Sequence, residues 1–192
     1  MPKIVDIDER RAELAAAAAQ LIARVGVGAV TLREVAAEAG WTTGVLTHYF
    51  ADKRELLLFT FRSSMARRAA TRGTRAARSP LEALVQSVER ALVVDEDSRR
   101  HWMVMIACSA QAAGDRELAD AQRDAYREFR GRVTELVERS GIAGEEEAMA
   151  VAERLIAVAD GIAVQALFDP ASWPARRQVV ALHAIIDPIL AG

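Results

Sequence analysis

The sequence predicts an all-α protein of about nine helices, with a small N-terminal unit of three helices, a connecting helix and a larger bundle. Three observations predict it. Of the 192 residues, 39 are alanine, the strongest helix former, and no stretch alternates polar and apolar residues as a strand would. Apolar residues recur at three- and four-residue intervals. Helix-start residues (Thr31, Thr42, Asp52, Ser79) and stop signals (Gly40, Gly141, Pro170) punctuate the chain at helix-length spacing.

In order, the first helix is expected over about Asp8–Val25, with Leu14, Ala18, Leu21, Ile22 and Val25 inward and Gly26 and Gly28 ending it. Thr31 opens the second with a capping box to Glu34, and Val30 and Val35 stand where a hydrophobic staple would. Gly40 stops it after barely two turns. Thr42 caps a third helix that fades near Phe50. Asp52, with Glu55 three residues on, opens a long fourth. Ser79-Pro80-Leu81-Glu82 combines a cap, a first-turn proline and a capping glutamate, and Leu81, Leu84, Val85, Val88 and Leu92 form the expected buried stripe. Further helices are expected over about 98–113, 115–140, 145–168 and 174–190. The breaks between them fall at Asp95-Glu96-Asp97, Gly114, Gly141 to Gly144, and Asp169 to Pro174. Glu145, Glu146 and Glu147 suit a helix start, where the dipole favours acids.

Composition narrows the function. With 52% hydrophobic and 27% charged residues the chain is a folded one, of one domain or two small ones. One cysteine excludes a disulfide framework and a multi-thiolate zinc site. No apolar run approaches the roughly 20 residues of a membrane span, and the acidic start (Asp6, Asp8, Glu9) is no signal peptide. The expectation is a cytoplasmic protein without a membrane partner. A net charge of −2 provides no global field for a polyanion, so any nucleic-acid recognition must come from a local device.

Thr31 to Lys53 is that device. Ala36 is small where two crossing helices must approach, and Gly40 falls where the turn demands positive φ. Val35, Ala39, Trp41, Leu46 and Tyr49 supply a shared core. The outer face of the second short helix then presents Thr42, Thr43, Gly44, Thr47 and His48, small polar groups able to approach base edges and phosphates. The spacing by itself fits a plain αα-corner equally well.

The same stretch resembles the helix-turn-helix of the tetracycline-repressor (TetR) family. The matching residues are Thr31, Val35-Ala36, Ala39-Gly40-Trp41-Thr42, Thr43-Gly44, His48-Tyr49-Phe50 and Lys53, and the match covers about 45 residues. The remainder matches only in layout. Asp160-Gly161 and Ala166-Leu167-Phe168-Asp169-Pro170 resemble the branch related to the betaine-operon repressor. The resemblance implies a DNA-binding domain over 1–51 and an effector-binding and dimerisation domain over 52–192. It implies a homodimer on a palindromic double-stranded DNA operator. Thr31 and Arg33 would touch phosphate, Thr42, Thr43, Gly44, Thr47 and His48 would face the groove, Tyr49 would reach the backbone, and Lys53 would hold phosphate. One departure stands out, because Trp41 occupies a position where the family has a smaller aliphatic residue. Between Thr31 and Arg54 the bases Arg33, Lys53 and Arg54 face the acids Glu34, Glu38 and Asp52, so the salt dependence of binding is expected to be shallow. Lys3, Arg10 and Arg11 could add a basic arm.

The resemblance also implies an effector pocket, for an apolar or cationic small molecule. Trp102, Met105, Ile106 and Ser109 share one side of a helix, and Tyr126, Phe129, Val133 and Leu136 one side of the next; ordinary core explains such stripes as well. Candidate polar anchors are His101, Ser109 and Tyr126. The last two helices carry the expected dimer surface, Ile156, Ile162, Leu167, Val179, Val180, Leu182, Ile185 and Ile186, part of which burial within one chain would also explain. Arg62, Arg67, Arg68, Arg72, Arg75 and Arg78 read as a solvated face. Cys108 reads as an inert core thiol. His101 and His183 have no His, Cys or carboxylate at ligand spacing, so no metal and no cofactor are expected. A small helical enzyme is the alternative class, but the chain has no nucleophile elbow, phosphate loop or acid–base pair. A helical adaptor would leave the outward threonines unexplained.

Overall fold

The computed structural model describes residues 7–70 and 76–190. Lys3, Arg72 and Arg75, weighed above, lie outside the described residues. Among these there are nine helices and no strand. They are α1 (Ile7–Ala29), α2 (Leu32–Glu38), α3 (Thr43–Tyr49), α4 (Lys53–Ala70), α5 (Pro80–Glu89), α6 (Glu96–Ala112), α7 (Arg116–Ser140), α8 (Glu145–Phe168) and α9 (Ala175–Leu190).

Residues within Met1–Thr71 and Met103–Gln122 form one compact unit, and those within Arg72–Trp102 and Arg123–Gly192 a second. In the first, α1 packs against α2, α3 and α4. Its buried face is Leu14, Ala15, Ala18, Leu21 and Ile22, met from α4 by Leu56, Leu57 and Phe61. Each such leucine contributes about 2 kcal/mol by leaving water. Alanine between the leucines lets the helices approach closely. Gly26, at φ 77° and ψ 157°, interrupts α1 where the sequence places a stop, and one further turn follows it.

Two expected core residues are corrected. Val25 is exposed, on the outer side of α1 beside the Gly26 break. Leu81 is exposed in the first turn of α5, ahead of the stretch where Leu84 and Val88 meet the core. The expectation that no apolar run suits a membrane is corrected too. By length and composition α1 could cross one, because its alanines add apolar character. Its inward residues are instead spent in the helical packing of the first unit.

The second unit is built on Leu84, Val88 and Leu92 of the α5 region, Val133 and Val137 of α7, Leu155 of α8, and Leu182 and Ile186 of α9. A polar clamp lies within it. Buried Gln178 donates its amide to the carbonyls of Val93 (2.6 Å) and Trp173 (2.9 Å) and accepts from the Val93 amide (2.9 Å). Both amide N–H groups and the carbonyl oxygen are bonded, which is what makes a buried amide tolerable.

Candidate functional site

The helix-turn-helix is built from its caps inward. The Thr31 hydroxyl accepts from the Glu34 amide (3.2 Å), and the Glu34 carboxylate accepts from the Thr31 amide (2.8 Å), completing the capping box. Gly40 turns the chain at φ 74°, and the Trp41 amide donates back to the Ala36 carbonyl (2.8 Å). Val35, Ala36, Leu46 and Phe50 are fully buried beneath the two helices. Thr42, Thr43, Gly44, Thr47 and His48 are all exposed on α3. Thr42 takes the extended backbone of a cap, but its hydroxyl makes no capping bond, unlike the expectation, and stays available on the surface. The Thr47 hydroxyl donates to the Gly44 carbonyl (3.0 Å). Tyr49 is half-buried, edge-on to Trp41 and to His48.

The basic residues around this motif are mostly occupied. The Lys53 ammonium donates to the Val27 carbonyl (2.6 Å), which uses one of its three protons and ties α4 to the end of α1. Arg54 pairs with Asp115 and with Glu117 (2.9 Å), and these acids hold its guanidinium firmly protonated. Arg11 lies between Phe50 and Phe59, 4.6 Å from each ring, and bonds Glu55 (2.8 Å). Arg24 grips Glu38 with two bonds (2.6 and 3.2 Å) and keeps that carboxyl below its usual range. Arg33 is exposed and enters no ion pair among the described residues.

The predicted effector residues divide between the compact units. Met105, Ile106 and Ser109 belong to the first and His101, Trp102, Tyr126 and Phe129 to the second, so no single unit gathers them. Trp102 is buried and donates its indole N–H to the Ala91 carbonyl (2.6 Å). Ser109 accepts from the Gln122 amide (2.7 Å). Phe129 lies under the Arg132 guanidinium, 5.5 Å away. Tyr126, 39% exposed, donates its hydroxyl to Asp160 of α8 (3.0 Å). Sequence reading missed Asp160 as a site residue. No cation among the described residues pairs with it, and burial raises its carboxyl pKa while the Tyr126 bond acts to lower it. Burial and the nearby carboxylate push the Tyr126 phenol up in turn. The available signal was an acid set within the apolar run of α8.

The dimer assignment needs correction by burial. Leu182 and Ile186 are fully buried within one chain, and Ile156, Ile162 and Leu167 nearly so, leaving little or no area for a partner. The amphipathic stripe of α9 points into its own core. Val179 is half-buried. The apolar surface left open on α8 and α9 is Met149 (55% exposed), Phe168 (69%), Val180 (61%) and Ile185 (47%).

His183 departs from expectation as well. Its Nε2 meets Glu89 of α5 (2.7 Å) and its Nδ1 meets Asp187 (3.0 Å), four residues on in α9, so carboxylates do neighbour it. They raise its pKa. No group of three or more metal-binding side chains occurs among the described residues. Burial raises the Cys108 thiol to about 12, which makes it inert at neutral pH.

Comparison with known proteins gives two family matches. Residues 14–58 match the pattern of bacterial regulatory proteins of the tetR family, and residues 80–191 match the C-terminal region of BetI-type transcriptional repressors. The HTH-type transcriptional regulator PksA of Bacillus subtilis (strain 168) is 30% identical over 88% of this chain and 84% of its own. The HTH-type transcriptional regulator BetI of Vibrio campbellii is 24% identical over 97% and 95%. Among solved structures, a transcriptional regulator from Rhodococcus sp. Rha1 superimposes with a TM-score of 0.85 at 31% identity, covering 95% of this chain and 96% of that one. A regulator from Saccharomonospora viridis, crystallised in complex with choline, shares the fold with a TM-score of 0.79 at 24% identity, over 94% and 96%.

Proposed function

Because this chain belongs to the TetR family of bacterial transcriptional regulators, we propose that it is a repressor that binds a palindromic operator as a homodimer and is released by a small-molecule effector. The observation that carries this reading is the outer face of α3, where Thr42, Thr43, Gly44, Thr47 and His48 stand exposed over a fully buried core. In the proposed complex these five face the major groove, and Thr31, Arg33, Tyr49 and Lys53 meet phosphate. Residues 1–51 read the DNA; 52–192 bind the effector and the second copy. Exposed Phe168, Val180 and Ile185 support α8 and α9 as the shared seam, with an isologous four-helix packing.

The effector of this proposal is a small organic cation. Asp160 is a partly buried carboxylate without a cationic partner, and the Tyr126 ring beside it favours ammonium groups. An effector preferring the non-binding conformation by about 1–3 kcal/mol suffices to release the operator.

The test is a gel shift with the DNA flanking the gene, repeated with choline. A shift that is retained in competitor DNA and weakened by choline supports the reading. No shift on any flanking fragment overturns the DNA-binding assignment. The salt dependence is expected to stay well below that of about ten phosphate contacts per dimer.

A further inference from the structure

Along α3 runs a column of rings that shares only His48 with the five groove-facing residues. The Arg10 guanidinium of α1 sits over the Trp41 indole, 4.8 Å from its centroid. Trp41 meets Tyr49 edge-on at 6.0 Å, and Tyr49 meets His48 at 5.4 Å. The column therefore runs from the first turn of α1 to the last turn of α3.

Its polar atoms are open. Neither the Trp41 indole N–H nor the Tyr49 hydroxyl makes a hydrogen bond among the described residues. Among the described residues the Arg11 Nε is the one buried side-chain nitrogen or oxygen that lacks a partner. The two ring groups of the half-buried Trp41 and Tyr49 are therefore not sealed from solvent. Arg10 is itself 34% exposed and spends one of its five N–H groups on Glu13 (2.8 Å).

Of the nearby cations, Arg54 and Arg24 are bound to acids and Lys53 spends one proton on Val27, while Arg33 enters no ion pair among the described residues. The face of α3 itself offers a duplex mainly neutral donors. An indole held on one face by a guanidinium and at its edge by a tyrosine loses little freedom when it makes one more bond. Trp41 also stands where the family pattern has a smaller aliphatic residue, so a contact made by its N–H belongs to this chain in particular.

We propose that Trp41 is a DNA-contact residue, its indole N–H donating to an operator phosphate, with Arg10 held over the ring as the adjoining cation. The footprint then extends from α3 onto α1. The proposal rests on the DNA-binding reading above.

The test measures operator affinity by fluorescence anisotropy at several salt concentrations for the wild type, Trp41→Phe and Arg10→Gln. Phenylalanine keeps the ring in the column and removes the N–H. Trp41→Phe is expected to weaken binding about tenfold per subunit, about a hundredfold for the homodimer, since each half loses one hydrogen bond to a charged group. Its salt slope stays that of the wild type, because no cation is lost. Arg10→Gln is expected to weaken binding and to lower the slope by about 0.9 per subunit. Binding by Trp41→Phe within twofold of the wild type overturns the proposal, while a wild type that binds no operator overturns the broader reading instead. A second measurement does not depend on the folding of Trp41→Phe. In a Trp173→Phe background, with Trp102 buried, acrylamide quenching reports Trp41. Operator is expected to protect it, and unchanged quenching overturns the contact.

Discussion

Replacing Asp160 by asparagine should make the protein more stable at neutral pH. Asp160 is half-buried in α8, its hydrogen-bonding partner is the Tyr126 hydroxyl, and no positive group offsets its charge. An unpaired ion taken fully out of water costs several kcal/mol. With part of the residue still wet and one good hydrogen bond in place, about 1 kcal/mol remains to be recovered. Asparagine keeps an acceptor for Tyr126 and carries no charge. For a chain of this length that corresponds to a rise in Tm of about 2–4 °C. The sign with pH follows from the raised carboxyl pKa. A folded-state value above the unfolded one favours the native state while the carboxyl is protonated, and that advantage is lost as pH rises through the folded value. The margin of Asp160→Asn over the wild type should therefore widen as pH rises above the ordinary carboxyl value of about 4 and then level off, as read by thermal melts. On the effector proposed above, choline should stabilise the wild type and this variant should lose that stabilisation. A variant less stable than the wild type at pH 8, or a margin that shrinks with pH, refutes the reasoning.

His183→Gln tests the opposite kind of group. The raised pKa of His183 stabilises the fold fully below the ordinary imidazole value of about 6.5, and the gain fades as pH rises through the folded value. The pair with Glu89 is about one-third exposed, so the difference should reach about 1 kcal/mol near pH 6 and close by pH 9; a gap that does not depend on pH counts against it. Gly40→Ala should lower stability in urea melts by about 1 kcal/mol. An added Cβ meets nothing within 4 Å, so the loss is the left-handed backbone at φ 74° less the entropy removed from the unfolded chain. Stability equal to the wild type would argue against that account. Val180→Asp should weaken self-association at least about tenfold in sedimentation or light scattering, with helix content unchanged, because a charge would enter the seam. An unaltered dimer moves the seam elsewhere.

The helices were largely legible because their ends are chemically loud. α8 spans Glu145–Phe168, between Gly144 and Asp169-Pro170, as the punctuation predicts. α6 starts at Glu96, two residues before its expected start. The Asp95 carboxylate caps the Ser98 amide (2.7 Å), so acids that read as a break form the first turn. In the helix-turn-helix, the burial of Val35, Ala36 and Leu46 and the φ of Gly40 follow from local spacing. What escaped is long-range. Asp160 and Tyr126 are 34 residues apart, and Glu89 and His183 94. Only the folded bundle brings them together. An apolar stripe such as Leu182 and Ile186 shows that a face is covered but not by what, which is why residues of the chain's own core read as dimer surface.

The chain passes between its two compact units three times, near residues 71, 102 and 122. A chimera joined at one point after α4 would carry the DNA-reading head without Asp115 and Glu117, leaving Arg54 without its counter-charges. Exchanging heads between relatives therefore calls for two grafts, the leading helices together with the turn between α6 and α7. A single-cut fusion would give a reader whose fourth helix has lost part of its anchorage.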